Sequence, residues 1–141
     1  MGVEENKEIG RRYCSTDANE FKKSKESSGG EDVHTPDFVL HSLTGDMKLK
    51  DYMALVDMIL NAFPDFKYNP EDIIAEGDKV VVRYTFTGTH LGDFSGMPAS
   101  GKKVKNEGIA ILRVKDSKVS EAWMVADSLN IMQQIGAIPS Q

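Results

Sequence analysis

The stretch EGDKVVVRYTF, residues 76–86, decides the fold of this chain. Its turn formers Gly77 and Asp78 come directly before a run of β-branched and aromatic residues, a pattern that predicts a hairpin turn followed by a strand. Successive side chains of a strand point to opposite faces. Apolar residues therefore occupy both faces of this strand, with Val80, Val82, Tyr84 and Phe86 on one and Val81 on the other.

Further strands are predicted on both sides of this stretch. Four segments have strand character, about residues 66–75, 79–88, 103–114 and 118–127. The short turns EGD and KDSK join the first and the last pair, and both are short enough for antiparallel hairpins. The long loop 89–102 joins the middle pair, and a brief strand is predicted over residues 36–42. The pattern indicates a four-strand antiparallel meander.

Helices are predicted on either side of the meander. The clearest covers residues 48–63, where apolar side chains recur at helical spacing on one broad face and Pro64 ends the pattern. A short helix is predicted over residues 128–135, and another over 3–13, which Gly10 weakens. The order helix, meander, helix indicates an α+β domain.

The segment between the first helix and the first strand is polar. Residues 15–32 contain few apolar side chains and end in serines and glycines. Such a segment buries too little apolar surface to offset the entropy of ordering it. We therefore expect a mobile arm or long loop at about residues 15–35 within a single domain, 1–141.

Length and composition are typical of one soluble globular domain. The chain has 141 residues, of which 40% are hydrophobic, and a net charge of −5. An acidic chain is a poor match for nucleic acid, because binding to phosphates requires a basic face. No apolar run approaches the roughly 20 residues that span a bilayer. Cys14 is the only cysteine. We expect a cytoplasmic protein that binds neither nucleic acid nor membrane.

One segment, GMPASGKK at residues 96–103, has the glycine and lysine spacing of a phosphate-binding loop. The position that needs a Ser or Thr for Mg²⁺ is Lys103, Pro98 removes an amide donor, and a strand follows where a helix is required. We therefore expect no nucleotide binding. The three histidines also lack metal-ligand spacing, so we expect no metal site.

Four segments of the second half carry a motif pattern. They are AFPDF (62–66), EGDKVVVRYTFTGTHLGDFSGMPASGKKV (76–104), ILRVKDSKVSEAW (111–123) and DSLNIMQQIG (127–136). Their order resembles that of the SnoaL-like polyketide cyclase family of the NTF2-like superfamily. That pattern runs GD-x-V-x-x-R, G-T-H-x-G-x-F-x-G-x-P-x-[TS]-G-[KR], E-x-W-x-x-x-D and Q-x-G. The resemblance covers about half of the chain.

The resemblance implies a fold and a chemistry. The fold would be a cone, in which a strongly curved antiparallel sheet and helices enclose an apolar cavity, and related proteins often dimerise through the sheet. The reaction of such cyclases is an intramolecular aldol closure of a polyketide ester without metal or organic cofactor. It implies a homodimer, no cofactor, a small apolar or polyketide-like ligand, and an acid/base group whose pKa is raised by desolvation.

The segment EAWMVAD (121–127) contains three candidate site residues. In a strand, Glu121, Trp123, Val125 and Asp127 share one face, where two carboxylates beside an indole suit a pocket wall. Asp127 matches the acid of the family motif and is our candidate acid/base residue, with capping of the next helix as the alternative. Trp123 and Glu121 are candidate ligand contacts. Core packing and a surface ion pair are their respective alternatives.

Four further residues are candidates. His90, in the loop segment GTHLG, is a second catalytic candidate, with a structural hydrogen bond as the alternative. His41, which matches the histidine before the long helix in the family, is a candidate ligand contact. Arg83 and Phe63 are also candidate ligand contacts. For Arg83 the alternative is a cross-strand ion pair with Glu121 or Glu107, and for Phe63 it is core packing.

The leading interpretation is a small-molecule enzyme or binder of the aldol-cyclase type. Two other reactions on the same fold stay open, namely proton transfer of the ketosteroid-isomerase kind and epoxide hydrolysis. A non-catalytic ligand carrier or dimerisation module is the alternative from another class. A carboxylate aimed into the cavity would favour catalysis, and a fully apolar closed cavity would favour a carrier.

Overall fold

Four helices and one six-stranded sheet make up the structure, a computed structural model that describes residues 2–42 and 44–138. In chain order the elements are α1 (Val3–Tyr13), α2 (Ala18–Ser28), β1 (His34–Ser42), β2 (Gly45–Lys48), α3 (Leu49–Ala62), β3 (Lys67–Glu76), β4 (Lys79–Thr89), β5 (Lys103–Lys115), β6 (Lys118–Ala126) and α4 (Ser128–Gln134). The predicted meander and its flanking helices are all present. The α+β class is confirmed.

The sheet is mixed, in the order β2-β1-β6-β5-β4-β3. Strands β3 to β6 form the predicted antiparallel meander, and β2 pairs with β1 in the same way. Strand β1 pairs with β6 in parallel, so the expectation of a wholly antiparallel sheet is wrong. No hairpin joins these two strands, because α3 and the rest of the meander lie between them in the chain, and the parallel direction is therefore accessible.

The interpretation of residues 15–32 as a loop is also wrong, because α2 forms there. The Asp17 side chain accepts a hydrogen bond from the backbone N–H of Glu20 at 2.9 Å, which caps the helix. Phe21 is buried, and its ring centroid lies 6.3 Å from that of Phe66. One cap and one buried aromatic residue thus anchor a helix that is otherwise polar. The mobility of this segment stays a prediction.

Helix α1 lies unusually close to the sheet at Gly10. A Cβ atom on Gly10 would lie only 2.7 Å from Cγ1 of Val80, a fully buried residue of β4. The absence of a side chain at Gly10 therefore permits the close packing of α1 on the sheet. The last residue of that helix, Tyr13, is thereby held at the inner face of the sheet.

The buried side chains lie between the inner sheet face and the helices. The largest fully buried apolar ones are Phe38, Phe63, Phe66, Leu112, Val80, Val82 and Val119. The opposite face of the sheet carries charged side chains and exposed isoleucine and valine residues. Among the residues that the structure describes, no helix is long and apolar enough to cross a membrane.

Candidate functional site

A cavity of about 510 Å³ lies between the inner face of the sheet and helices α1, α2 and α3. Much of its wall is apolar, including Ile9, Phe21, Met53, Val56 and Ala110. Ligand pockets in proteins commonly have about 300–1,000 Å³ and a mainly apolar wall with a few polar groups. The polar groups of this wall are therefore the candidate catalytic and ligand-binding groups.

Four tyrosines, Tyr13, Tyr52, Tyr68 and Tyr84, line the cavity. Burial raises the pKa of each phenol, that of Tyr52 to about 12. All four therefore present neutral hydroxyl groups near pH 7. The Tyr52 hydroxyl donates to the Met124 sulfur, a weak acceptor, at 3.9 Å, and it also shares a hydrogen bond with Tyr13.

His34 and Tyr13 are joined by a hydrogen bond at the cavity wall. The Tyr13 hydroxyl lies 2.7 Å from Nε2 of His34, and Nδ1 of His34 lies 2.8 Å from the Gly30 carbonyl oxygen. Because a carbonyl can only accept, Nδ1 carries the proton and Nε2 has the lone pair. The Tyr13 hydroxyl is therefore the donor to His34.

The His34 ring is 4% exposed. Burial lowers its pKa, and the hydrogen bond to Gly30 and the nearby charge of Asp32 offset this only in part. His34 is therefore a neutral base near pH 7.

Two carboxylates, Glu20 and Asp32, also border the cavity. Asp32 accepts hydrogen bonds from the hydroxyls of Ser24 and Ser28, the latter at 2.9 Å. Partial burial raises the pKa of Asp32, but these hydrogen bonds outweigh it and the net shift is downward. Both carboxylates belong to exposed residues, so they lie at the rim of the cavity. Within residues 2–42 and 44–138, no three acidic, histidine or cysteine side chains are arranged to hold a metal ion.

None of the seven candidate residues from the sequence is among the described residues that line the cavity. His41, Glu121 and Trp123 do come together, but on the outer face of the sheet. The His41 and Trp123 rings stack with centroids 5.0 Å apart, and Nε2 of His41 lies 2.8 Å from a Glu121 carboxylate oxygen. Hydrogen bonds to Glu121 and to Asp46 raise the pKa of His41. The predicted common face of Glu121 and Trp123 is thus present, turned away from the cavity.

Arg83 also lies on the outer face. Its Nε atom is 2.7 Å from the Asp72 carboxylate, and Nη1 is 3.4 Å from that of Glu107. Of the two predicted cross-strand partners, Glu107 is present. Glu121 instead lies 3.1 Å from Nε of Arg113.

Asp127 lies at the start of α4. Its side chain is exposed and accepts a hydrogen bond from the backbone N–H of Asn130 at 3.0 Å, which is the geometry of a helix cap. A role of Asp127 in acid/base catalysis stays a prediction.

His90 and Phe63 pack together under the loop 89–102, away from the cavity. Nδ1 of the fully buried His90 accepts the backbone N–H of Ser100 at 3.1 Å, so the ring is hydrogen-bonded to the loop as the structural alternative required. Phe63 is 1% exposed, and its ring centroid lies 5.7 Å from that of His90. Their roles in catalysis and ligand binding stay predictions.

The sequence interpretation missed Tyr13 and His34 as site residues. Both border the segment that was taken for a loop, so neither had an assigned position in the core. Tyr52 gave the one available signal, because it lies on the apolar face of the predicted helix 48–63.

The fold and the cavity define a class of protein, the small α+β cones that enclose a chamber between a curved sheet and helices. Within this class, a family model described as SnoaL-like polyketide cyclase matches residues 14–135. The chain belongs to that family.

Solved structures agree with this assignment. AclR from Streptomyces galilaeus, a candidate hydroxylase, is 29% identical, with a TM-score of 0.81 over 99% of this chain and 86% of that one. A candidate SnoaL-like polyketide cyclase from Jannaschia sp. CCS1 is 26% identical, with a TM-score of 0.78 over 97% and 95% of the two chains. A candidate polyketide cyclase from Bacillus cereus ATCC 10987 is 31% identical, with a TM-score of 0.60 over 86% and 79%. No curated protein sequence matches the chain.

Proposed function

We propose that this protein is a cofactor-independent enzyme of the aldol-cyclase type that acts on a small polyketide-like ketone or ester in its cavity. One observation carries the proposal, the presence of a buried neutral base and neutral hydroxyl donors in a largely apolar chamber. Family membership agrees with this type of reaction.

An aldol closure requires two catalytic functions from the protein. A base must remove a proton next to a carbonyl group, and hydrogen-bond donors must stabilise the negative charge that develops on the carbonyl oxygen. In an apolar chamber such donors act more strongly than in water. His34 is the candidate base, and the tyrosine hydroxyls are the candidate hydrogen-bond donors.

A non-catalytic carrier is the second candidate function. The apolar part of the wall, formed by residues such as Ile9, Val56 and Ala110, would suit a carrier equally well. The two functions differ in turnover, because a carrier returns its ligand chemically unchanged.

The proposed location of the ligand can be tested by filling the cavity. Ala110 is fully buried and lines the chamber, so Ala110→Phe places a ring inside it. We expect binding of the neutral fluorophore N-phenyl-1-naphthylamine to weaken by at least about tenfold, since roughly 1.4 kcal/mol of lost contact suffices. Ala54→Phe, at an exposed position of α3, is the control and should bind as the unmodified protein does. Equal affinity in a folded Ala110→Phe variant would contradict the proposal.

We also propose that two copies associate through the outer face of the sheet. Ile74, Val81, Ile111 and Trp123 are neighbours in register across β3 to β6, and form one apolar row on that face. The nearby Val125 is 72% exposed. A stable interface buries roughly 800 Å² per partner, for which an exposed sheet face of this kind is suited.

Sedimentation at micromolar concentration tests this association. We expect the mass of two chains for the unmodified protein and of one chain for Ile111→Glu, because a charge buried without a partner is costly. Met58→Glu, at a position 67% exposed on α3, should keep the mass of two chains. A one-chain mass for the unmodified protein would exclude the dimer.

A further inference from the structure

We propose that Tyr13 and His34 are the acid–base pair of the cavity, with Tyr13 in contact with the substrate and His34 as its proton acceptor. The inference rests on the proposed function and specifies its substrate class, a ketone with an acidic C–H bond beside its carbonyl group. In this proposal, a phenol–imidazole pair takes the acid/base role for which the sequence had suggested a carboxylate.

The direction of the hydrogen bonds sets up the proton path. The Gly30 carbonyl holds the proton of His34 on Nδ1, which leaves the Nε2 lone pair directed at the Tyr13 hydroxyl 2.7 Å away. The Tyr13 proton is committed to His34, and Tyr52 also shares a hydrogen bond with this phenol. Because the Tyr13 oxygen has two lone pairs, one is left for a ligand in the cavity.

The surrounding aromatic rings hold the imidazole in this orientation. The His34 centroid lies 4.6 Å from that of Phe38, 5.2 Å from that of Tyr13 and 5.8 Å from that of Tyr52, all in edge-on contact. A fixed base avoids the cost of reorientation during the reaction.

The site can also hold the charge that a proton transfer creates. An imidazolium at His34 would keep its hydrogen bond to Gly30 and feel the negative charge of Asp32, both of which favour the protonated ring. On the substrate side, the Tyr52 hydroxyl interacts with the Met124 sulfur, a weak acceptor, and with the Tyr13 hydroxyl, and Tyr68 also lines the cavity. The Tyr52 and Tyr68 hydroxyls can donate to a developing oxyanion.

The reaction then balances without another reagent. The Tyr13 oxygen takes the proton from the carbon beside the carbonyl while its own proton passes to Nε2 of His34, and the C–H electron pair moves to the carbonyl oxygen. The enolate carbon attacks a second carbonyl of the same molecule and forms the new C–C bond. The resulting alkoxide recovers the proton from His34 through Tyr13, so that every atom of the substrate is retained.

Other reactive groups fit this role less well. Burial raises the pKa of the Cys14 thiol to about 12, so the thiolate is scarce near pH 7. Asp127 is exposed at a helix terminus and its carboxylate is already used as a cap.

The first step can be measured without the natural substrate. 2-Tetralone, a bicyclic aromatic ketone, exchanges its α-protons in D₂O, and proton NMR follows the loss of their signal. We expect the protein to accelerate this exchange and Tyr13→Phe to slow it by on the order of 10²-fold or more, because a general base contributes about 10²–10⁴. His34→Gln should slow it similarly. Met58→Ala, at a position 67% exposed on α3 and outside the cavity, should leave the exchange rate unchanged.

Three results would contradict the assignment of Tyr13 and His34. The first is an exchange rate that Tyr13→Phe leaves unchanged, and the second is a loss of exchange in Asp127→Asn, which would return the acid/base role to a carboxylate. The third is that tetralone binds in the cavity but its exchange is not accelerated. If neither tetralone nor the naphthylamine probe binds the folded protein, the proposed function itself fails, and the pair with it.

A pH profile separates a chemical role of His34 from a structural one. Only neutral His34 can accept a proton, so the exchange rate should fall as the pH drops through its pKa, which burial holds below the ordinary value of 6.5. The other ionisable groups that act on the pair are Asp32, Tyr52, Tyr68 and Cys14. Asp32 keeps its charge in this range, and the phenols and the thiol stay neutral. Loss of the inflection in His34→Gln is expected, and its persistence there would contradict the assignment.

Discussion

Phe63→Ala should lower the free energy of unfolding by about 3–5 kcal/mol, the usual cost of removing a buried phenylalanine ring. The ring is 1% exposed and lies 5.4 Å from Phe86 and 5.3 Å from Phe94, between centroids. It also supports Gly88, where an added Cβ would lie 3.0 Å from Cβ of Phe63. Removal of the ring would leave a cavity among these aromatic neighbours.

Urea denaturation followed by far-UV circular dichroism measures this change. Met58→Ala is the control, because Met58 lies in α3, the helix that ends directly before Phe63, and is 67% exposed. It should change the unfolding free energy by less than about 0.5 kcal/mol. A loss below about 1 kcal/mol for Phe63→Ala would show that this ring is not part of the core.

Gly10→Ala should destabilise the protein although alanine is the better helix former. Alanine gains about 1 kcal/mol in helix propensity over glycine. Its Cβ would however lie 2.7 Å from Cγ1 of Val80, and overpacking of this kind costs about 1–3 kcal/mol. Strain between α1 and the sheet would also move Tyr13 relative to His34.

A double-mutant cycle with Val80→Ala isolates this contact. Removing the Val80 methyl groups creates space for the new Cβ, so the double variant should lose about 1 kcal/mol less stability than the sum of the single variants. Gly2→Ala, at the N-cap of the same helix, meets no atom within 4 Å and is the control for a methyl group added without a steric clash. Additive losses in the cycle would mean that Gly10 and Val80 do not limit the approach of α1.

Local sequence patterns were sufficient to predict those elements whose structure depends on residues close together in the sequence. The alternation in β4 and the turn residues at Gly77 and Asp78 indicated the strand and its hairpin correctly, because side-chain direction and turn geometry are short-range properties. The same holds for α3 and its apolar stripe. Helix α2 was not predicted. The polar composition of residues 15–32 indicated a loop, and the two features that favour a helix there, the Asp17 cap and the buried ring of Phe21, were given too little weight.

The candidate site shows the limit of such patterns. Alternation placed Glu121 and Trp123 on one side of β6, and the structure agrees, but alternation carries no information about which side the helices cover. The helices pack on the other face, where Ala122 and Met124 lie. A polar and aromatic face can equally belong to a pocket wall or to an outer surface.

By itself, the sequence determined the α+β class, the meander and the family pattern over the second half of the chain. Only the tertiary structure decided which groups meet in the cavity. Tyr13 and His34 are 21 positions apart and join through a hydrogen bond that depends on α1 lying close to the sheet at Gly10 and on the Gly30 carbonyl orienting the imidazole. Contacts of this kind arise from packing between elements, which no local periodicity encodes.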